Sequence, residues 1–122
     1  MCGFAGYLSE SINADKDIIY KMVERVSSRG PDSEGLWLDQ TNNFAIGHKR
    51  LSILDLSNTG HQPIISSNSR YVLAFNGEIY NHLEIRRLLN RKQDISWKGT
   101  SDTETLINAI EKIGLQDTLK LI

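Results

Sequence analysis

The only cysteine of this 122-residue chain stands second, in Met1-Cys2-Gly3. Removal of Met1, routine when the next side chain is small, makes Cys2 the terminus and gives it a free α-amine beside its thiol. Such an amine has a pKa of about 7.7–8, so near neutral pH part of it can take the thiol proton directly or through one water. This is the N-terminal-nucleophile form of covalent catalysis, in which the chain end supplies the base that a histidine supplies elsewhere. With Met1 attached, the same nitrogen is a peptide nitrogen without basicity. A lone cysteine is equally at home as a small apolar side chain, so position alone leaves both readings open.

Other residues offer matching chemistry. Asn76-Gly77 pairs a side-chain amide with a glycine N–H, two donors able to converge on one oxygen as an oxyanion hole requires; Asn-Gly is also a common hairpin turn. Arg50, at the head of an alternating stretch, suits a bidentate grip on a carboxylate or plain exposure on a strand. Asp102 follows the cap residue Ser101, where a first-turn acid serves the helix dipole or holds an ammonium group. The block Arg29 to Gly35 is dense in turn formers and reads on its own as a helix stop and loop. His48, His61 and His82 lack metal-ligand spacing and have no cysteine partner, so no metal site is expected.

Regular elements must position these groups. Phe4 to Leu8 reads as a strand carrying Cys2 at its outer end. Asn13 to Asp17 offers helix caps and first-turn acids, and Ile18, Ile19, Met22, Val23 and Val26 follow at helical spacing until Gly30-Pro31. Leu36–Leu38 and Phe44–Ile46 flank the polar turn Asp39 to Asn43 as a hairpin, and Arg50 to Leu56 reads as extended. Asn58 to Pro63 is expected as a loop. Tyr71 to Phe75 is the strongest strand, running into Asn76-Gly77. Two helices follow, capped at Asn81 and Ser101 with a glutamate three residues on in each. Their stripes are Ile85, Leu88, Leu89 and Leu106, Ile107, Ile110, Ile113, the second ending at Gly114. Antiparallel strands segregated from helices make the class α+β.

Bulk properties exclude several alternatives. Hydrophobic residues make up 39% and charged residues 24%, with 14 basic against 15 acidic side chains and a net charge of −1. That composition suits one globular domain with a real core and carries no like-charge run for nucleic acid or a membrane surface. One cysteine allows no internal disulfide and fits a reducing compartment. Without a signal-peptide pattern or a run of about 20 apolar residues, the expected location is cytoplasmic. The apolar ending Leu119-Lys120-Leu121-Ile122 leads to the expectation of a fragment.

Taken in order, Met1 to Gly6, RGPDSEG (Arg29 to Gly35), GHKRLSILD (Gly47 to Asp55), GHQP (Gly60 to Pro63), FNGEIYNH (Phe75 to His82) and SDTE (Ser101 to Glu104) resemble the glutaminase domain of class II glutamine amidotransferases. Within that group they are most similar to the glutamine-dependent asparagine synthetases, whose branch carries the RLSI-x-D block followed by Gln-Pro. The resemblance implies an N-terminal-nucleophile hydrolase fold, two antiparallel sheets between helical layers (αββα), incomplete here. Residues 1–122 would be the N-terminal portion of the glutaminase domain, with the synthetase domain absent.

The implied roles are these. Cys2 attacks the side-chain amide carbon of glutamine, and its α-amine relays the proton to the leaving ammonia. Asn76 and Gly77 stabilise the oxyanion. Arg50 grips the α-carboxylate, Glu78 and Asp102 hold the α-ammonium, and Leu51, Ser52, Ile53 and Leu54 line the pocket through backbone groups. No cofactor is implied for this domain; ATP and magnesium belong to the synthetase domain, which would use the ammonia on aspartate. The implied partners are L-glutamine, the synthetase domain of the parent chain and a second copy in a homodimer, with no nucleic acid and no membrane. Two other readings are a non-catalytic, glutamine-binding fragment and an amidotransferase for another acceptor, such as a sugar or peptide acid.

Overall fold

The computed structural model describes residues 2–51, 60–92 and 94–122. The chain divides into two compact units: Met1–Ser52 with His61–Pro63 and Ala74–Gly77, and Ile53–Gly60 with Ile64–Leu73 and Glu78–Ile122. Both are mixed: the fold is α+β, with antiparallel sheets and helices, as expected for part of an N-terminal-nucleophile hydrolase domain.

The first unit is a three-stranded antiparallel sheet with one helix on it. Strands β1 (Gly3–Leu8), β2 (Ser33–Asp39) and β3 (Phe44–Arg50) lie in the order β1-β3-β2. β2 and β3 form the expected hairpin: Leu38 pairs with Ala45, and the Asp39 carboxylate closes the turn by accepting the Thr41 and Asn42 amides. Strand alternation gives the sheet two faces. Ala5, Tyr7, Leu36, Leu38 and Ala45 pack against Ile19 and Val23 of helix α1 (Lys16–Glu24). Asp15 caps α1 by accepting the Asp17 and Ile18 amides. Lys49 ties the layers together through ion pairs with Glu24 of α1 and Glu34 of β2.

The end of α1 departs from expectation. The helix closes at Glu24 with Arg25 as its cap, and a short 3₁₀ turn, Ser27–Arg29, precedes Gly30. Val26 already bonds its amide to Val23, three residues back. Ile18, one of the apolar residues at helical spacing, is 39% exposed because the sheet covers only the Ile19–Val23 side.

On the opposite face of the sheet lie Phe4, His48 and Arg50, with Gly35 directly across from His48. The His61–Gln62 segment crosses there. A Cβ on Gly35 would sit 2.0 Å from the Gln62 carbonyl oxygen, so only glycine admits this crossing.

The second unit contains a two-stranded antiparallel ribbon, β4 (Ile64–Ile65) with β5 (Val72–Leu73), and helices α2 (His82–Lys92), α3 (Asp102–Ile113) and α4 (Leu115–Leu119). α3 packs against α2, α4 and β4. Leu106, Ile107 and Ile110 are buried as expected, and Gly114 ends α3 at φ 84°. Ile85 and Leu89 are buried on α2, whereas Leu88 is 43% exposed. α4 had no counterpart in the sequence reading. The Asn81 amide donates to the Leu121 carbonyl at 2.6 Å.

A half-buried cation organises this unit. The Arg86 guanidinium donates to Thr105 Oγ1, to the carbonyls of Gly99 and Ser101, and to Glu104 Oε2 at 3.1 Å, and it stacks on the Trp97 ring. The expected cap at Ser101 is present, its Oγ accepting the Glu104 amide at 3.2 Å. The Glu104 carboxylate turns to the amides of Lys98 and Gly99 and to Arg86.

The expected strand Tyr71 to Phe75 is only two residues long in ladder terms. Phe75 leaves the ribbon because buried side chains, not a neighbouring strand, take its backbone groups, as described below. Among the described residues no helix is long and apolar enough to cross a membrane.

Candidate active site

Cys2 sits at the head of β1, half-buried, where that strand meets the end of β3. Its sulfur faces the Leu51 peptide from both sides: Sγ accepts the Leu51 N–H at 3.3 Å, and the thiol donates to the Leu51 carbonyl at 3.6 Å. Its own carbonyl accepts from Arg29 Nε at 3.1 Å. A residue so near a chain end is ordered only by such anchoring, because termini otherwise fray. The Arg29 contact explains part of the RGPDSEG block: after the 3₁₀ turn, Arg29 reaches back to the first strand. Turn-forming composition alone predicts only a loop there and no role for Arg29.

Arg50 closes β3 opposite Ser33 and is 8% exposed. By alternation it shares a face with His48, and Cys2 shares that face with Phe4. An exposed strand arginine, the plainer expectation, is therefore excluded. Leu51 lies against the Cys2 sulfur. Ser52, Ile53 and Leu54 lie outside the described residues.

Asn76 and Gly77 follow Phe75, whose backbone is held at both ends. The Phe75 N–H donates to Gln62 Oε1 at 2.6 Å, and its carbonyl lies 3.3 Å from His48 Nε2. A carbonyl only accepts, so Nε2 carries the hydrogen. Both side chains are buried, His48 at 0% and Gln62 at 6% exposure. Burial holds the His48 imidazole below its ordinary pKa, against the Phe75 carbonyl, with His61 and the Arg50 guanidinium adding to the lowering. His48 is therefore neutral at physiological pH. Asn76 is half-buried and Gly77 exposed. The Phe75 ring folds back on Gly77, where a Cβ would lie 2.6 Å from its Cζ.

Glu78 and Asp102 belong to the second unit. Glu78 is exposed, and Asp102 is buried at the start of α3. The Asp102 carboxylate accepts the Ile79 amide at 2.9 Å and the Thr103 amide at 2.8 Å. Asp102 thus has a structural partner beside Glu78 in addition to its helix position. Neither His48 nor Gln62 is among the site residues expected from the sequence, where they stand only within the GHKR and GHQP motifs and, for His48, among the histidines without metal-ligand spacing. Among the described residues no cluster of histidine, cysteine, aspartate and glutamate is disposed to hold a metal ion.

A family model described as a glutamine amidotransferase domain matches residues 1–122. The chain is 40% identical over 88% of its length to asparagine synthetase [glutamine-hydrolyzing] 1 of Bacillus subtilis, covering 17% of that protein. It is 36% identical over 94% of its length to asparagine synthetase [glutamine-hydrolyzing] 2 of the same organism, covering 15% of it. It is 29% identical over 94% of its length to amidase chry2 of Gibberella zeae, covering 18% of that protein. The chain spans less than a quarter of the length of the curated relatives it matches.

Proposed function

This chain belongs to the glutamine amidotransferase domain family, and we propose that it hydrolyses L-glutamine to glutamate and ammonia with Cys2 as an N-terminal nucleophile. The observation that carries the reading is the Cys2 thiol held against the Leu51 peptide beside Arg50, at the start of a chain that matches the family from residue 1. Once Met1 is removed, the α-amine takes the thiol proton and the sulfur attacks the amide carbon of glutamine. The carbonyl electron pair moves onto oxygen, which Asn76 Nδ2 and the Gly77 N–H stabilise; such a donor is worth about 10²–10³ in kcat. The intermediate collapses, ammonia leaves with the proton from the α-ammonium, and water hydrolyses the γ-glutamyl thioester to glutamate and free thiol.

Glutamine is a zwitterion with an amide, so its site needs a cation, a carboxylate and an oxyanion pocket. Arg50 takes the α-carboxylate, Glu78 and Asp102 the α-ammonium, and the backbone of Leu51, Ser52, Ile53 and Leu54 lines the pocket. We read residues 1–122 as the N-terminal portion of the glutaminase domain of a longer cytoplasmic protein that, as a homodimer, spends ATP with magnesium to amidate aspartate. The similarity to a protein named as an amidase favours a second reading, another acceptor, which residues outside these 122 would choose.

The test is ammonia release from L-glutamine by the Met1-free protein, with loss of activity in Cys2→Ala and labelling of Cys2 by an electrophilic glutamine analogue. A polypeptide that retains Met1 should bind glutamine without turning it over. Activity that survives Cys2→Ala overturns the proposal.

A further inference from the structure

The two backbone groups of Phe75 have an unusual arrangement. A residue entering a strand normally gives its N–H and C=O to a neighbouring strand. Phe75 gives them to two buried side chains from separate stretches of the first unit: Gln62 Oε1 accepts its N–H at 2.6 Å, and His48 Nε2 faces its carbonyl at 3.3 Å. Neither side chain is idle filling. A leucine or methionine would fill either position without the cost of burying polar atoms, and His48 Nδ1 is left without a partner among the described residues. The histidine is held neutral by its burial, so its single N–H is committed to Phe75.

We infer that His48 and Gln62 form a clamp on the Phe75 peptide that aims the Asn76 amide and the Gly77 N–H at the oxyanion. The inference rests on the proposed glutaminase reading and deepens it. Phe75 is the residue immediately before the two donors, so fixing its peptide fixes the direction in which the chain enters Asn76. An oxyanion hole works because its donors are already aimed before charge develops, and a misplacement of about 1 Å costs about 10²-fold in rate. His48 and Gln62 touch no substrate in this scheme; they are positioning residues. His48 stands on β3 two residues before Arg50, so the strand that presents the cation for the carboxylate also presents the donor that holds the turn.

The test uses the Met1-free full chain of the protein and three variants. His48→Leu and Gln62→Met remove the donor and the acceptor with little change in volume. His48→Gln keeps an N–H in place of Nε2. The expected result is a fall in kcat of about 10- to 100-fold in His48→Leu and Gln62→Met, with KM within about threefold, and recovery in His48→Gln to within about fivefold of the parent. Alkylation of Cys2 by iodoacetamide builds no oxyanion, and its rate should stay unchanged in all three; a merely structural role would move both readouts together. If His48→Leu fails to fold, Gln62→Met with His48→Gln carries the comparison. Folded His48→Leu and Gln62→Met variants with kcat within twofold of the parent overturn the clamp while leaving the glutaminase reading intact. A folded parent that hydrolyses no glutamine overturns both.

Discussion

The Asp102 carboxylate holds the peptide that follows Glu78: its Oδ2 accepts the Ile79 N–H at 2.9 Å while Oδ1 accepts the Thr103 N–H at 2.8 Å. Asp102 is 6% and Ile79 5% exposed, so no water replaces the bond readily. A carboxylate has about four lone-pair sites, which leaves capacity for the α-ammonium that the proposed function assigns to it. Asp102→Ala should lower the unfolding free energy by about 1–3 kcal/mol, since a buried donor loses its acceptor. Asp102→Asn keeps an amide oxygen for Ile79 and should fold well, yet raise the KM for glutamine about tenfold through the lost charge. Denaturant unfolding and steady-state kinetics separate the two effects; an unchanged KM in Asp102→Asn would remove Asp102 from substrate binding.

Arg86 anchors the second unit from the inside. Its guanidinium donates four hydrogen bonds, to Thr105, Gly99, Ser101 and Glu104, and its plane covers Trp97 at 4.1 Å. Arg86→Met should destabilise the fold by about 3 kcal/mol, because Glu104 keeps its buried charge and loses its cation. Arg86→Lys should cost less, retaining the charge but not the planar fork. Trp97 fluorescence should report both losses directly. Equal stability of Arg86→Met and the parent would show that the Lys98 and Gly99 amides alone satisfy Glu104.

The parts of this protein legible in its sequence are those governed by local pattern. The β2–β3 hairpin follows from two apolar runs around a polar turn, and the α3 boundaries follow from Ser101 and Gly114. The chemistry proposed for Cys2 is read from its position and its neighbours. What the sequence hid depends on partners far along the chain. Tyr71 to Phe75 has the composition of a strand, but alternation cannot show that Gln62 and His48 capture the Phe75 peptide. Arg29 sits among turn formers, and nothing local shows that its side chain crosses to the Cys2 carbonyl. Glu104 has the spacing of a capping box; its commitment to Arg86 and the Lys98–Gly99 amides depends on how α2 lies against α3.

His48 makes stability depend on pH in a predictable direction. Its imidazole has an unperturbed pKa of about 6.5 and is held lower in the fold, chiefly by burial, with His61 and Arg50 contributing. Below about 6.5 the unfolded chain takes up a proton that the folded chain refuses, so stability falls as the pH falls. The contribution is complete above about 6.5 and is lost as the pH drops from there toward the lowered folded value. One such group changes stability by at most about 1.4 kcal/mol per pH unit. His48→Gln should flatten the profile between about pH 6.5 and 5 relative to the parent. Urea unfolding at several pH values checks this; parallel profiles would mean that His48 titrates alike in both states.

Gly77 is exposed, yet a side chain there would meet the Phe75 ring, whose Cζ and Cε2 would lie 2.6 Å and 3.1 Å from an added Cβ. The Phe75 backbone is held at both its N–H and its carbonyl, so the ring can yield only by turning about its side-chain bonds. Gly77→Ala therefore moves either that ring or the Asn76–Gly77 turn, and a moved turn carries both proposed oxyanion donors with it. A change at an exposed position usually alters stability by no more than about 0.5 kcal/mol, while loss of an aligned donor costs about 10²–10³ in kcat. Gly77→Ala should thus keep its thermal midpoint and its KM and lose at least about tenfold in kcat. Pairing it with Phe75→Leu, which clears the space around the new methyl group, should restore part of that loss. A Gly77→Ala protein with full kcat would show that the Phe75 ring yields and the turn keeps its place.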